Sequence, residues 1–395
     1  MSEALFTARA PSNIALIKYM GKDDSELNLP ANGSLSLTLS RLCSVAQIRR
    51  LECAGQEPKS KWVAEAPIDA RVELSLESPL LGDAGVGRIL RHVERVRKAC
   101  GEIFAGYEIE LAAPADFELR AANTFPPSAG IASSASSFSA VTLATAHACA
   151  KNSARFCEVF DESLEFKREL ASLSRQGSGS SCRSFEGPWV LWEETQAAGL
   201  LTGARSQSSD LSLDLSLKTM PAMSDFVLIV SAQPKAVGSS EAHRRVKASP
   251  LWDGRAERAQ ERLRDIAAAI GEANLPMIAR IAWSEAWEMH SLFHTSAEPF
   301  TYWEPATLDA LSFFAPFVTG SEATRAGLST PIVTLDAGPN VHVLVPTREA
   351  PQWREMISKR FPNWALLEDE QGAGAAILKG PGHLGLQQGT LRGMK

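Results

Sequence analysis

The sequence predicts an α+β protein of two domains, and three observations carry that prediction. Period-two alternation, as in "SLSLTLS" (Ser34–Ser40), is interleaved with helical spacing, as in "GRILRHVERVRKAC" (Gly87–Cys100). That mixture lacks the regular strand–helix–strand alternation of a doubly wound parallel sheet. The chain has 395 residues, and a single core rarely grows past about 250–300 residues. At 45% hydrophobic and 22% charged, its composition is that of a globular protein able to fill two such cores.

The elements follow in chain order. The start, "MSEALFTARAPSN", has no cationic stretch ahead of an apolar one, so no signal peptide is expected there. In "SLSLTLS", Leu35, Leu37 and Leu39 share one strand face and hydroxyls the other. "VELSLES" (72–78) and "YEIELAA" (107–113) repeat the period, so both are expected strands, flanking the helix at Gly87–Cys100 with its basic outer face. Ile131–Ala150 is an uncharged run long enough for a membrane span, yet it is rich in Ser, Thr and Ala and contains His147. A buried helix of small residues fits it better. Residues 195–210 read as a polar loop, 211–220 as an edge-like strand and Asp225–Ala232 as a buried strand. The domain junction falls before that strand, giving domains 1–222 and 223–395. Amphipathic helices follow around 255–273 and 277–293, then two strands in "PIVTLDAGPNVHVLVP" (331–346) joined by a tight turn. The Gly-rich tail from Lys379 carries no expected function.

Charge and cysteine content narrow the function. A net charge of −6 and a pI near 5.8 argue against non-specific nucleic-acid binding. If the protein handles anions, its cations must be concentrated locally. None of the six cysteines forms a CxxC pair or a zinc spacing, which suits reduced thiols in a cytoplasmic protein. His290 and His294 are four apart, but no acidic third ligand accompanies them, so packing or surface roles are expected for them and for His243.

Four stretches carry residue types suited to anion chemistry. "NTFPPSAGIASSASS" (Asn123–Ser137) leads a Pro/Gly loop into a helix opened by Ser133 and Ser134. Free N–H groups at a helix start suit phosphate, and the serine hydroxyls can ligate Mg²⁺; the bland reading is a serine cap. "APSNIALIKYMGKDD" (Ala10–Asp24) places Lys18 and Lys22 near Tyr19; the alternative is two solvated lysines. "RQGSGSSCRSFEG" (Arg175–Gly187) sets two arginines around Gly177, Ser178, Gly179 and Ser180, either an anion grip or a surface turn. Asp336 in "LDAGPN" either caps a turn or orients and deprotonates a hydroxyl near bound phosphates.

In this order the four stretches, with "MHSLFHTSAEP" (Met289–Pro299), resemble the diphosphomevalonate decarboxylase branch of the GHMP kinase superfamily, over roughly residues 8 to 340. One departure is visible: the family's Lys-Tyr-Trp-Gly-Lys reads here with Met20 at the Trp position, a repacking that Met's adaptable shape permits. The resemblance implies a two-domain fold with an N-terminal ribosomal-S5-like domain, a C-terminal ferredoxin-like domain and an active site in the cleft between them. It implies ATP- and Mg²⁺-dependent decarboxylation of mevalonate 5-diphosphate to isopentenyl diphosphate, in a cytoplasmic homodimer that engages neither nucleic acid nor membrane. By carry-over, Pro126, Ser128, Ala129, Gly130, Ala132, Ser133, Ser134 and Ser136 would wrap the ATP phosphates, with Ser133 or Ser134 near the metal. Tyr19 and Lys22 would hold the substrate diphosphate, and Ser178, Gly179, Ser180 and Arg183 the mevalonyl end. Asn13 would orient Arg183. Asp336 would face the C3 hydroxyl, with Lys18 near the transferring phosphate. Within the same fold, a phosphomevalonate decarboxylase or a 3-kinase that stops after phosphoryl transfer is the alternative. A nucleotide-binding relative without catalysis is the alternative from another class.

Overall fold

The computed structural model describes residues 4–24, 27–53, 57–65, 67, 82–125, 131–192, 220–233 and 235–378. The expected strands at 72–78 and 211–219, the loop at 195–210 and the tail from 379 lie outside the described residues.

Two long strands, β1 (Leu5–Ile17) and β4 (Ser34–Leu51), form the antiparallel centre of the first sheet. Two short strands, β2 (Lys22–Asp24) and β3 (Leu29–Pro30), pair with each other between them. β4 has two partners on its outer edge. β7 (Trp189–Trp192) pairs with residues 34–37, and β6 (Asp116–Asn123) with residues 44–51. β5 (Ser60–Trp62) adds in parallel to β6. The helices of this half are α1 (Asp83–Ala105), α2 (Ser133–Cys149), α3 (Ser153–Glu162) and α4 (Leu164–Arg175). α1 contains the helix expected at Gly87–Cys100. α2 is the uncharged run, and it is buried nearly throughout, as small residues allow when a helix lies against a sheet.

The second half carries a four-stranded antiparallel sheet in the order β11–β8–β10–β9: β8 (Met223–Ile229), β9 (Ile332–Thr334), β10 (Val341–Pro346) and β11 (Ala365–Glu370). Its helices are α5 (Ser239–Arg245), α6 (Arg255–Gly271), α7 (Leu275–His294), α8 (Pro305–Thr319), α9 (Glu322–Arg325) and α10 (Ala350–Arg360). β12 (Ala376–Leu378) returns to the first sheet and pairs with β1. No helix among the described residues is long and apolar enough to cross a membrane.

One expected strand is absent. Residues 107–113 make only an isolated bridge, Leu111 to Ala150, and Leu111 is 49% exposed. Glu108 takes a left-handed φ of 55° just after α1 ends, which breaks the extended run. The place beside β4 that such a strand would fill belongs to β6. Alternation shows that a segment can pair, but a ladder also needs a free neighbour.

The core shows how the halves are joined. The start of β1 (Phe6, Ala8, Ala10) packs with α1–α4. Its end (Ile14, Leu16, Ile17), with Leu35 and Leu37 of β4, packs into the apolar cluster of the second half, among α6, α7, α8 and the second sheet. The face of β4 opposite the leucines is buried as well. There Ser34, Ser36 and Thr38 face protein, and Thr38 Oγ1 donates to the Glu186 carbonyl at 2.8 Å. Leu37 is wholly buried where the halves meet. Leu37→Ala is expected to cost about 2–5 kcal/mol, read as a lowered urea midpoint. A change within about 0.5 kcal/mol would show that this contact does not support the core.

Candidate active site

The site is built where β1 leaves its sheet. Beyond Ile17 no strand partner is available to the next residue, and buried side chains take over its backbone groups. The Lys18 N–H donates to Glu285 Oε1 of α7 at 3.0 Å, and its carbonyl accepts from Asn32 Nδ2 at 3.0 Å. The side chain is buried too, with Nζ donating to the Ala15 carbonyl at 2.6 Å and to Asp336 Oδ1 at 2.9 Å. Burial pushes the Lys18 ammonium below the ordinary lysine range, opposed by Asp336. Asp336 opens the connection between β9 and β10, and its side chain keeps 22% of its surface open to the cleft. Burial alone would raise its carboxyl, but Lys18, His342 and Arg183 outweigh burial and hold it below the usual carboxylate value.

The Gly/Ser stretch is an ordered turn, with Gly179–Ser184 forming a 3₁₀ helix. Arg183 is 3% exposed. Its Nε donates to Asn13 Oδ1 at 3.3 Å and its Nη1 to Ser34 Oγ at 2.7 Å, while Asn13 Nδ2 donates to Ser184 Oγ at 2.9 Å. A guanidinium held on two edges points in one direction. Arg175 lies away from the cleft lining. Its Nη1 donates to the Leu27 carbonyl at 2.6 Å, and its own carbonyl accepts from Asn28 Nδ2 at 3.0 Å. Asn28 in turn accepts from Lys22 Nζ at 2.6 Å. Arg175 therefore braces the turn that aims Lys22.

Tyr19 packs against Gly179 so closely that a Cβ there would lie 2.4 Å from its ring. On another side the ring meets His243 at 4.5 Å between centroids. Met20 is buried among Met289, Phe293 and Tyr302, an apolar slot that a thioether fills.

At the start of α2, Ala132 adopts φ 40° and offers no side-chain cap, and the Ala135 N–H donates to the Ala132 carbonyl at 2.8 Å, so the amides placed to meet a ligand are those of Ser133 and Ser134. Ser134 lines the cleft and accepts a hydrogen bond from Ser178 Oγ at 3.2 Å. Ser136 does not face the cleft. It is buried against Ser44 Oγ at 2.7 Å and the Ser133 carbonyl at 3.2 Å, because two residues along a helix from cleft-lining Ser134 turn the side chain by about 200°, toward the sheet. Pro126, Ser128, Ala129 and Gly130 lie outside the described residues. Among the described residues no cluster of three or more His, Cys, Asp or Glu could hold a metal. A divalent cation here would take serine hydroxyl and phosphate oxygens, a donor set suited to Mg²⁺.

Several cleft residues escape sequence reasoning. Arg88 of α1 and Lys235, Ser239, Ser240 and His243 of the second half line the same space. Among the described residues the lining brings together Lys18, Lys22, Arg88, Arg183 and Lys235 against one carboxylate, Asp336, so an acidic chain does concentrate its cations. Arg88 carries no local signature beyond a basic helix face. His243, expected to serve packing, accepts the Gly21 N–H through Nδ1 at 3.0 Å, and burial lowers its pKa to about 3. His294 lies at the surface against Trp303.

A family model described as the diphosphomevalonate decarboxylase-like N-terminal domain matches residues 10–204, and the mevalonate 5-diphosphate decarboxylase C-terminal domain matches 226–378. A diphosphomevalonate decarboxylase of Aspergillus fumigatus is 30% identical, over 85% of this chain and 75% of its own length. The structure of a mevalonate diphosphate decarboxylase from Legionella pneumophila is 34% identical with a TM-score of 0.68, covering 92% of this chain and 100% of that one. A structure described as MDDEF in complex with MVAPP, AMPPCP and magnesium is 24% identical with a TM-score of 0.71, covering 95% and 99%.

The contact of Gly179 with Tyr19 is testable. Gly179→Ala is expected to destabilise by about 1–3 kcal/mol through overpacking, and adding Tyr19→Ala should recover part of that loss in a thermal-denaturation cycle. Strict additivity of the two changes would show that they do not touch.

Proposed function

This chain belongs to the diphosphomevalonate decarboxylase family, and we propose that its cleft carries out that family's reaction with the residues described above. The enzyme converts mevalonate 5-diphosphate and ATP to isopentenyl diphosphate, ADP, phosphate and CO₂. The observation that carries the assignment of roles is the Lys18–Asp336 pair, 2.9 Å apart and open on the Asp336 side to a cationic cleft.

Tyr19 and Lys22, with Arg88 beside them, hold the substrate diphosphate. Ser178, Gly179, Ser180 and Arg183 receive the mevalonyl end, the guanidinium gripping the carboxylate and Asn13 fixing its direction. Ala132, Ser133 and Ser134 meet the ATP phosphates at the start of α2, and to the same phosphates we assign Pro126, Ser128, Ala129 and Gly130. Ser134, whose hydroxyl lines the cleft, would ligate Mg²⁺, which when bound supplies charge neutralisation to the transferring phosphate.

Asp336, kept ionised by Lys18, accepts the hydrogen bond of the C3 hydroxyl and takes its proton as the new P–O bond forms. A weak base suffices because that bond makes the hydroxyl far more acidic. Lys18, beside the transferring group, offsets its charge. Loss of phosphate then breaks the C3–O bond. The C1–C2 bond breaks with it, its electron pair becoming the C2–C3 double bond as CO₂ departs. Arg183 orients the carboxylate through this step without a covalent tie. The proposal extends to a homodimer in the cytoplasm, where six free cysteines suit a reducing compartment, and to a division of the chain at 222/223.

The deciding experiment offers the purified protein ATP, Mg²⁺ and either mevalonate 5-diphosphate or its monophosphate. Stoichiometric ADP and CO₂ from the diphosphate are expected. ADP without CO₂ would identify a 3-kinase, and equal turnover of the monophosphate would reassign the substrate. Asp336→Asn is expected to keep ATP affinity and lose at least about 10²-fold in kcat. Near-normal kcat would reduce Asp336 to a turn cap.

A further inference from the structure

Both members of the Lys18–Asp336 pair are anchored to one helix, and through their backbones. Glu285 of α7 accepts the Lys18 N–H at 3.0 Å. Five residues later on the same helix, His290 meets the Asp336 carbonyl through Nε2 at 3.2 Å. We propose that Glu285 and His290 are positioning residues for the reaction, with α7 acting as the rigid element that sets the distance between Lys18 Nζ and Asp336. This inference rests on the roles assigned above to Lys18 and Asp336.

The chemistry of each contact supports it. The Glu285 carboxylate is wholly buried and bonded to Arg255 through Oε1 and to Arg262 through Oε2, the latter at 2.8 Å. Arg255 is wholly buried as well, and its Nε and Nη1 have no hydrogen-bond partner among the described residues. Burying an incompletely satisfied ion pair is a poor way to stabilise a core. What the arrangement provides is a carboxylate held immobile, with one oxygen also turned to the Lys18 amide. Asn32 fixes the carbonyl side of the same residue. The Lys18 ammonium therefore springs from a backbone that cannot shift.

On the other side, a carbonyl oxygen only accepts, so His290 Nε2 carries the proton and Nδ1 does not. Nδ1 is buried and has no hydrogen-bond partner among the described residues, and burial lowers the His290 pKa to about 3, which keeps the ring neutral. The ring stacks on Trp303 at 4.8 Å and meets Phe293 edge-on at 5.2 Å, so its donor direction is set by packing. Asp336 is also faced by Lys18 at the end of β1, Arg183 of the 3₁₀ turn, Lys235 of the loop after β8 and His342 of β10. Among these, Lys18 alone bonds its carboxylate directly.

The test uses the intact enzyme. Glu285→Asp keeps the charge facing Arg255 and Arg262 but withdraws the acceptor by one methylene. It is expected to lower kcat about 10- to 100-fold, with the KM of both substrates changed less than about threefold. A looser Lys18–Asp336 pair raises the carboxyl's pKa, so the acid limb of the kcat profile should move to higher pH, which weakened folding alone would not cause. His290→Leu should reproduce the loss, and His290→Gln, whose amide N–H reaches a similar point, should restore most of it. Wild-type kcat and an unmoved acid limb in Glu285→Asp would overturn the proposal. So would equal activity of the His290→Leu and His290→Gln enzymes, which covers the case in which the Glu285 variant does not fold. Asp336→Asn, run alongside, separates the two levels. If it is fully active the assignment of roles falls, and this inference with it. If it is inactive while the α7 variants behave as wild type, only the positioning falls.

Discussion

The ion pair between Lys18 and Asp336 is the constraint on which the rest of the site depends. The two residues lie at the end of β1 and after β9, so the pair also ties the first sheet to the second half. Two charges removed from water are held together only if their remaining hydrogen-bonding capacity is met. Ala15 takes a second proton of the ammonium, and Asp336 keeps its free side toward the cleft, where a substrate hydroxyl can complete it. Everything nearby either fixes these two groups or supplies positive charge at a set distance from them.

Charge placement follows the same logic at larger scale. The chain is net acidic, yet its cleft is strongly cationic, and several of its cations are restrained, each in its own way. Arg183 is held by Asn13 and Ser34, Arg88 donates to the Gly177 carbonyl at 2.7 Å, and Lys22 is braced through Asn28 by Arg175. Restrained cations lose little freedom when anions arrive, and they stabilise charge that develops during reaction more effectively than mobile ones. Glycine and serine fill the spaces between because a larger side chain would strike neighbours already in place, as a Cβ at Gly177 would strike Phe138 at 2.1 Å. The two cores share β1 and β4 along their lengths, so the walls of the cleft have a common rigid base.

Much of this was legible in the sequence, and the failures have physical causes. Period-two and helical spacing located β4, α1, α6, α7 and the β9–β10 pair, since burial on one face leaves a local signature. The same rule misassigned residues 107–113, where alternation existed without a neighbouring strand edge to accept it. It separated the leucine face of β4 from its hydroxyl face, and protein covers both. Lys18, Tyr19, Lys22, Ser178, Ser180, Arg183 and Asp336 were all named from local stretches and come together in one cleft. Ser136 was named with them and turns instead to the sheet.

What the sequence by itself determined was the inventory: which short stretches carry cations, hydroxyls, small residues and a carboxylate at a strand end, and which segments form the elements that hold them. The tertiary structure then fixed what each of the two arginines touches, with Arg183 lining the cleft and Arg175 bracing a turn. It alone brought Arg88, Lys235 and His243 to the same space and set Glu285 and His290 behind the Lys18–Asp336 pair. The reason is range. Hydrophobic periodicity and turn chemistry act over a few residues and can be read locally. The contact between Lys18 and Glu285 spans 267 positions of chain, and it exists only because two separately packed elements end in the same buried place.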